Sequence, residues 1–174
     1  DLTFKISEST LNYPLEIIEV EADMTIRLND FTVRVLPLSH GIDSFAYIFK
    51  ENDKIGELLT DKLLALGLKP GPVYGKIKAS ETFTVEGKEY QTADFIGETI
   101  YGRKIAVHGD TRLNSKEDYL NQLFNADLIV HEATFLKDEK EKAHDYFHSE
   151  INQVLNMFSE LNYKQLLFVH ISSR

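Results

Sequence analysis

Lys104-Ile-Ala-Val-His-Gly-Asp-Thr-Arg112 is the stretch on which the fold turns. Ile105 to Val107 is a short apolar run that ends abruptly in polar chemistry at His108, Asp110 and Thr111. Gly109 permits a tight turn that a residue with a Cβ resists. The same grammar occurs twice more. Leu128-Ile129-Val130 runs into His131-Glu132, and Leu166-Leu167-Phe168-Val169 runs into His170. Each run reads as a buried strand that delivers a histidine at its C-terminal end. In open α/β sheets that edge is where ligands bind.

Outward from these runs the chain alternates with helical patterns, so the fold class is α/β. Ser115, with Asp118 three residues on, gives a capping-box-like start to a helix faced by Leu120, Leu123 and Phe124. Residues 137–145 are dense in Lys, Glu and Asp and read as a solvated face. Ser149 is expected to cap a last helix whose buried stripe is Ile151, Val154, Leu155, Phe158 and Leu161. Upstream, Thr10 to Pro14 reads as a loop, Leu15 to Val20 as a short strand, and 24–36 as a hairpin turning at Asn29-Asp30. Phe45 to Phe49 is a further strand.

Residues 52–96 differ in character. Ile55, Leu59, Leu63 and Leu66 have near-helical spacing, with Gly67 as a C-terminal cap. Lys69-Pro-Gly-Pro-Val-Tyr-Gly-Lys-Ile-Lys78 follows, where prolines and glycines interrupt regular structure and three lysines lie close together. Thr82–Val85 and Lys88–Thr92 flank Glu86-Gly87, a hairpin signal. Two readings stand open: an insertion that protrudes from the core, or a helix, loop and hairpin packed on the body.

The totals set limits. A chain of 174 residues with 43% hydrophobic content fits one domain with a sizeable core. The lack of cysteine excludes disulfides and thiolate metal sites, and it is compatible with a cytoplasmic location. No apolar run approaches the ~18 residues that a membrane span needs. The formal net charge of -9 argues against a general nucleic-acid coat, while leaving room for a local basic patch or bound cations. Asp1 is not an initiator methionine, and a fragment or processed chain is the expectation.

Individual residues carry more than one reading. His40, before Gly41, is a ligand or a solvent-exposed loop histidine. Asp110 can bind or bridge cations through two oxygens, or cap the next loop. His170 is a ligand or a buried ring satisfied by one backbone partner. Two imidazoles and a carboxylate suit zinc. Glu132 can accept a hydrogen bond from His148 and raise its basicity, freeing that ring to donate a proton or bind phosphate. His148 is otherwise an ordinary residue at a helix start. His131, His108 and His144 read as structural or surface residues. Arg112 and Arg174 can clamp phosphate or form ordinary salt bridges. Lys69, Lys76 and Lys78, with Tyr74 among them, can grip a nucleic-acid backbone. Walker, dinucleotide-binding and serine-elbow motifs are absent from the sequence.

The order of motifs resembles one family. Leu38-Ser-His-Gly41 with Phe45-Ala-Tyr47, Pro70-Gly-Pro-Val-Tyr74 with Lys76-Ile-Lys78, His108-Gly-Asp-Thr-Arg112, His131-Glu-Ala-Thr-Phe135, Tyr146-Phe-His-Ser149 and His170-Ile-Ser-Ser-Arg174 follow in its order. The chain is similar, along its length, to the C-terminal portion of bacterial ribonuclease Z, the tRNA 3′-processing endonuclease of the metallo-β-lactamase fold. That resemblance implies part of an αββα sandwich in which 52–96 is an arm gripping precursor tRNA. It implies His40, Asp110 and His170 as zinc ligands, Asp110 bridging two ions, and His148 near the scissile phosphate with Glu132 as its acidic partner. It further implies a tRNA 3′-hydroxyl product and a homodimer. The family's His-x-His-x-Asp-His motif, which supplies the remaining ligands, does not occur in these 174 residues.

Two other classes compete. One is a binuclear hydrolase of the same fold acting on a small ester or phosphodiester, with 52–96 as a lid. The other is a non-catalytic half-domain offering an interaction surface.

Overall fold

The computed structural model describes residues 13–114 and 116–172. Ser115, Arg174 and the first residues of the Thr10–Pro14 loop lie outside this range. Six strands form one sheet: β1 (Thr25–Arg27), β2 (Phe31–Pro37), β3 (Phe45–Glu51), β6 (Lys104–His108), β7 (Leu128–Glu132) and β8 (Leu166–Val169), in the order β1-β2-β3-β6-β7-β8. The first three and β6 pair antiparallel, while β6, β7 and β8 run parallel. The three strand-to-histidine runs therefore end at the same sheet edge, as their shared pattern implies. Residues 15–20 form no strand. Their apolar residues are largely exposed, Ile17 at 65% and Leu15 at 50%, and have no sheet neighbour to pack against.

Strand alternation sorts the two faces. Leu36, Ala46 and Ile48 join Ala106 and Ile129 under helices α3 (Glu117–Leu123) and α5 (Ile151–Phe158), which contribute Tyr119, Leu123, Val154 and Phe158, with α4 (Lys140–Asp145) between them in the chain. The opposite face carries Phe49, Val107 and Leu167, all still partly open to solvent. Leu155 and Phe124 are exposed rather than core-facing. The buried stripe of α5 is Val154 and Phe158, spaced i, i+4, and Leu155 falls beyond its edge. The cap of α5 is Glu150, whose carboxylate accepts from Gln153 N, and not Ser149. Ser149 instead donates its hydroxyl to Thr111 O at 2.8 Å.

Between β3 and β6 lie α1 (Thr60–Ala65), α2 (Pro72–Lys78), the hairpin β4 (Thr82–Val85) with β5 (Lys88–Gln91), and a 3-10 turn at Thr92–Phe95. They share a separate apolar cluster of Leu63, Ile77 and Phe95, flanked by Leu58, Leu66, Leu68, Tyr74, Phe83 and Tyr90. Helix α1 starts later than the spacing from Ile55 suggests, because Lys54 and Leu58 bridge Ile100 and Ile96 in extended backbone. Its end matches expectation. Gly67 N–H donates to Leu64 O and Leu68 N–H to Leu63 O, the paired bonds of a Schellman cap. From Pro72 to Lys78 the Pro-Gly stretch is helical, contrary to its reading as irregular, while Lys69 to Gly71 are not helical. Pro72 occupies the first turn of α2, where a missing N–H costs nothing. The hairpin turns at Glu86 and Gly87, both with positive φ, as a type I′ turn requires.

The two legs of this segment approach closely at its base. A Cβ on Gly56 would lie 2.3 Å from Gly97 O, so no side chain fits there. Arg103 binds both carboxylate oxygens of Glu51, and this holds the Glu51 carboxyl down at about 2.

Candidate metal centre

The Gly109–Arg112 turn is bracketed on every side. Gly109 N–H donates to Phe45 O, Ser44 Oγ to Asp110 O, and Arg112 N–H to Ser39 O. Gly109 is needed less for its dihedrals than for space, since a Cβ would stand 2.8 Å from Ser44 Oγ. Thr111 is fully buried and accepts from Ser39 N while donating to Arg112 O. These bonds lock the turn to the loop that carries His40.

Glu132 is the hub behind the site. It is fully buried and meets four donors: Thr111 N, Ser149 N and His148 Nδ1 at Oε1, and Thr134 N at Oε2. Its contact with His148 Nδ1 is 3.0 Å. An acceptor-only carboxylate there draws the ring proton to Nδ1 and leaves Nε2 of His148 free. Thr134 Oγ1 stands 2.8 Å from His170 Nδ1 and 3.3 Å from His148 Nδ1, tying the two rings to one hydroxyl. Asp110 Oδ1 lies 3.4 Å from His170 Nδ1.

These bonds bring Asp110, His148 and His170 together, each offering one ligand atom within 4.8 Å of the others. His40 stands beside them, its ring centroid 5.3 Å from that of His148, with Nδ1 on the Phe147 carbonyl oxygen at 2.9 Å. The tight three-atom group thus contains His148, whereas the motif resemblance put His40 in that place. The donor set, two imidazoles and a carboxylate, fits a borderline divalent cation.

His108 and His131 face the opposite way, into the core under α3 and α5. Their Nδ1 atoms donate to Val130 O and Glu132 O, and their Nε2 atoms are buried without a hydrogen-bond partner among the described residues. Burial, reinforced by His131, pushes the His108 imidazole down to about 3, and burial also lowers His131. Both are neutral core rings, and His144 is exposed. Sequence reasoning missed Thr134 and Phe147. Thr134 sits inside a quoted motif, but its bridging hydroxyl has no sequence signature. Phe147 acts through its backbone carbonyl.

The family model described as Beta-lactamase superfamily domain matches residues 66–171. The chain belongs to the beta-lactamase superfamily. Within that superfamily, it is 38% identical over all 174 residues to the ribonuclease Z of Staphylococcus aureus strain JH9, covering 56% of that protein, and strain Newman gives the same figures. The chain spans about half the length of the curated relatives it matches. The resemblance drawn from motif order therefore extends along the whole chain. Two solved structures share the fold. Human tRNase Z, short form, aligns with a TM-score of 0.54 at 21% identity, covering 86% of this chain and 39% of that one. The metallo-beta-lactamase fold protein YhfI of Bacillus subtilis aligns at 0.55 and 13% identity, covering 98% and 49%.

Lys69, Tyr74, Lys76 and Lys78 belong to the segment between β3 and β6, whereas Arg112 borders the centre. Lys69 and Lys76 are exposed, and Lys78 pairs with Glu57 at 3.6 Å. Tyr74 packs on the second apolar cluster and donates its hydroxyl to Leu68 O. Arg112 places its guanidinium over the Phe147 ring at 3.7 Å and donates from Nε to His144 O.

Proposed function

We propose that this chain carries one half of the catalytic centre of a zinc-dependent endoribonuclease. It removes the 3′ trailer of precursor tRNA and leaves a 3′-hydroxyl. The observation that carries the reading is the convergence of Asp110, His148 and His170, with Glu132 buried behind His148. The chain-long likeness to proteins named ribonuclease Z supports the choice of substrate.

Asp110 and His170 would hold zinc, with His40 on its flank and Asp110 able to bridge two ions. When bound, the ion supplies Lewis acidity toward the phosphate and lowers the cost of generating a hydroxide nucleophile. His148, held through Nδ1 by Glu132, turns Nε2 toward the same space. Protonated at Nε2 as an imidazolium stabilised by Glu132, the ring can hand that proton to the leaving oxygen and return to its neutral form; unprotonated there, it can instead ligate the ion. Outside the centre, Lys69, Lys76 and Lys78 on and before α2 form a stretch with no acidic residue between 68 and 80. They would grip the tRNA backbone far from the cut, with Tyr74 supporting the helix that presents them. A homodimer in the cytoplasm completes the proposal.

Single-turnover cleavage of a 3′-extended tRNA by the full-length gene product tests it. His148→Ala is expected to slow the step by about 100-fold or more, the range for removal of an acid or base. An unchanged rate would remove His148 from the chemistry.

A further inference from the structure

We propose that Arg112 and Phe147 are positioning residues that fix how His40 faces the centre, an inference that rests on the metal reading above. His40 Nδ1 lies 2.9 Å from the Phe147 carbonyl oxygen. A carbonyl only accepts, so Nδ1 carries the proton and Nε2 is left bare, with its lone pair available to a cation.

The backbone that aims this carbonyl is unusual. Phe147 has φ of 62°. That left-handed region is sterically unfavourable for a residue with a Cβ. The surrounding contacts must hold it there. Arg112 supplies two of them and ties a further loop to the same group. Its guanidinium carbon sits 3.7 Å from the centre of the Phe147 ring. Its Nε donates to His144 O at 2.6 Å, and its backbone N–H donates to Ser39 O at 2.7 Å. One arginine thus joins the loop before His40, the turn that carries Asp110 and the loop that carries Phe147 and His148. The Phe147 ring also meets the His40 ring edge-on, 6.2 Å between centroids.

This use of Arg112 differs from a phosphate clamp. A clamp needs the guanidinium fork directed at substrate. Here the π face is spent on Phe147 and Nε on a carbonyl. Lysine replaces the charge but neither the planar stack nor the Nε donor, so the two roles respond differently to substitution.

Ring nitrogen NMR of His40, recorded on this chain at a pH where the imidazole is neutral, reads the tautomer without any metal. The parent chain is expected to show the proton on Nδ1. Arg112→Ala and Arg112→Lys are both expected to move His40 toward the Nε2-protonated form that unconstrained imidazoles favour. Phe147→Leu, which keeps the carbonyl but not the aromatic face, should move it in the same direction. In the full-length gene product these changes should weaken zinc affinity by about 10–100-fold, the range for removing the outer partners of a ligand. Thermal melting identifies variants that remain folded, and the lysine variant serves where alanine does not fold. The proposal is overturned if His40 keeps its Nδ1 proton in a folded arginine variant and zinc affinity stays within about twofold of the parent. It is equally overturned if only tRNA affinity and its salt dependence fall, because Arg112 is then a phosphate contact. If His40 responds to Arg112 while the parent binds no zinc, positioning stands and the metal reading fails.

Discussion

Glu132 shows how one residue organises a site. Four donors converge on a carboxylate with no solvent exposure, and three of them are backbone N–H groups. Glutamine in its place keeps the shape but points an amide donor at one of these groups. A buried donor left without an acceptor costs about 1–3 kcal/mol. Glu132→Gln is therefore expected to lower unfolding free energy by that amount in urea titration, as well as to loosen His148. An unaltered midpoint would mean that Glu132 is not the structural hub of the site. His108 gives a second prediction at this scale. In the unfolded chain an imidazole takes up a proton below about pH 6.5, whereas in the fold His108 does so only near 3. The unfolded state binds more protons across that window, so stability falls as pH falls, by roughly 1.4 kcal/mol per pH unit for one such group. Urea unfolding between pH 7 and 4 should show at least this slope, and His108→Gln should reduce it, leaving the share that His131 contributes. A slope unaffected by the substitution would contradict the assignment. Asp110, Glu132 and His170 could be singled out from sequence because apolar strands ending in ionisable residues leave a visible pattern, whereas His148, at a helix start, stood out only through its pairing with Glu132 and the order of motifs. Thr134 and Phe147 could not, since a bridging hydroxyl and an aimed carbonyl depend on tertiary placement.

Elements are legible in proportion to how local their causes are. The hairpin at Glu86-Gly87 and the Gly67 cap follow from turn chemistry within a few residues, and both appear where read. Helix α2 is hidden because proline breaks a helix in its interior but suits its first turn, and sequence alone does not say which position it holds. Residues 15–20 carry the composition of a strand but lack a pairing partner in the described structure. The base of the segment between β3 and β6 depends on a close approach between residues far apart in sequence, Gly56 against Gly97 O. Gly56→Ala is expected to push the two legs apart and break the Leu58–Ile96 bridge. Faster hydrogen exchange at the amides of residues 54–59 and 95–100, with the β6–β8 amides unaffected, would be the sign. Uniform protection in the variant would show that the close approach is not a constraint.

At the scale of the molecule, the parallel strands β6, β7 and β8 place three ionisable strand ends along one edge, while a separate apolar cluster supports the lysine-bearing helix α2. If that helix grips tRNA, replacing Lys69, Lys76 and Lys78 with alanine should weaken precursor binding by the full-length gene product. It should also reduce the slope of log affinity against log salt by about 0.7–0.9 for each phosphate that is no longer neutralised. Identical affinity and slope would remove the arm from recognition. We propose, more narrowly, that Asp110, His148 and His170 form a single cation site. The most direct measurement is a zinc titration of this chain followed through the ring nitrogen signals of His148 and His170. A single site predicts that both rings respond together, at one zinc concentration, and that Asp110→Ala abolishes the shared response. Rings that respond separately, or a response that survives the loss of Asp110, would contradict it.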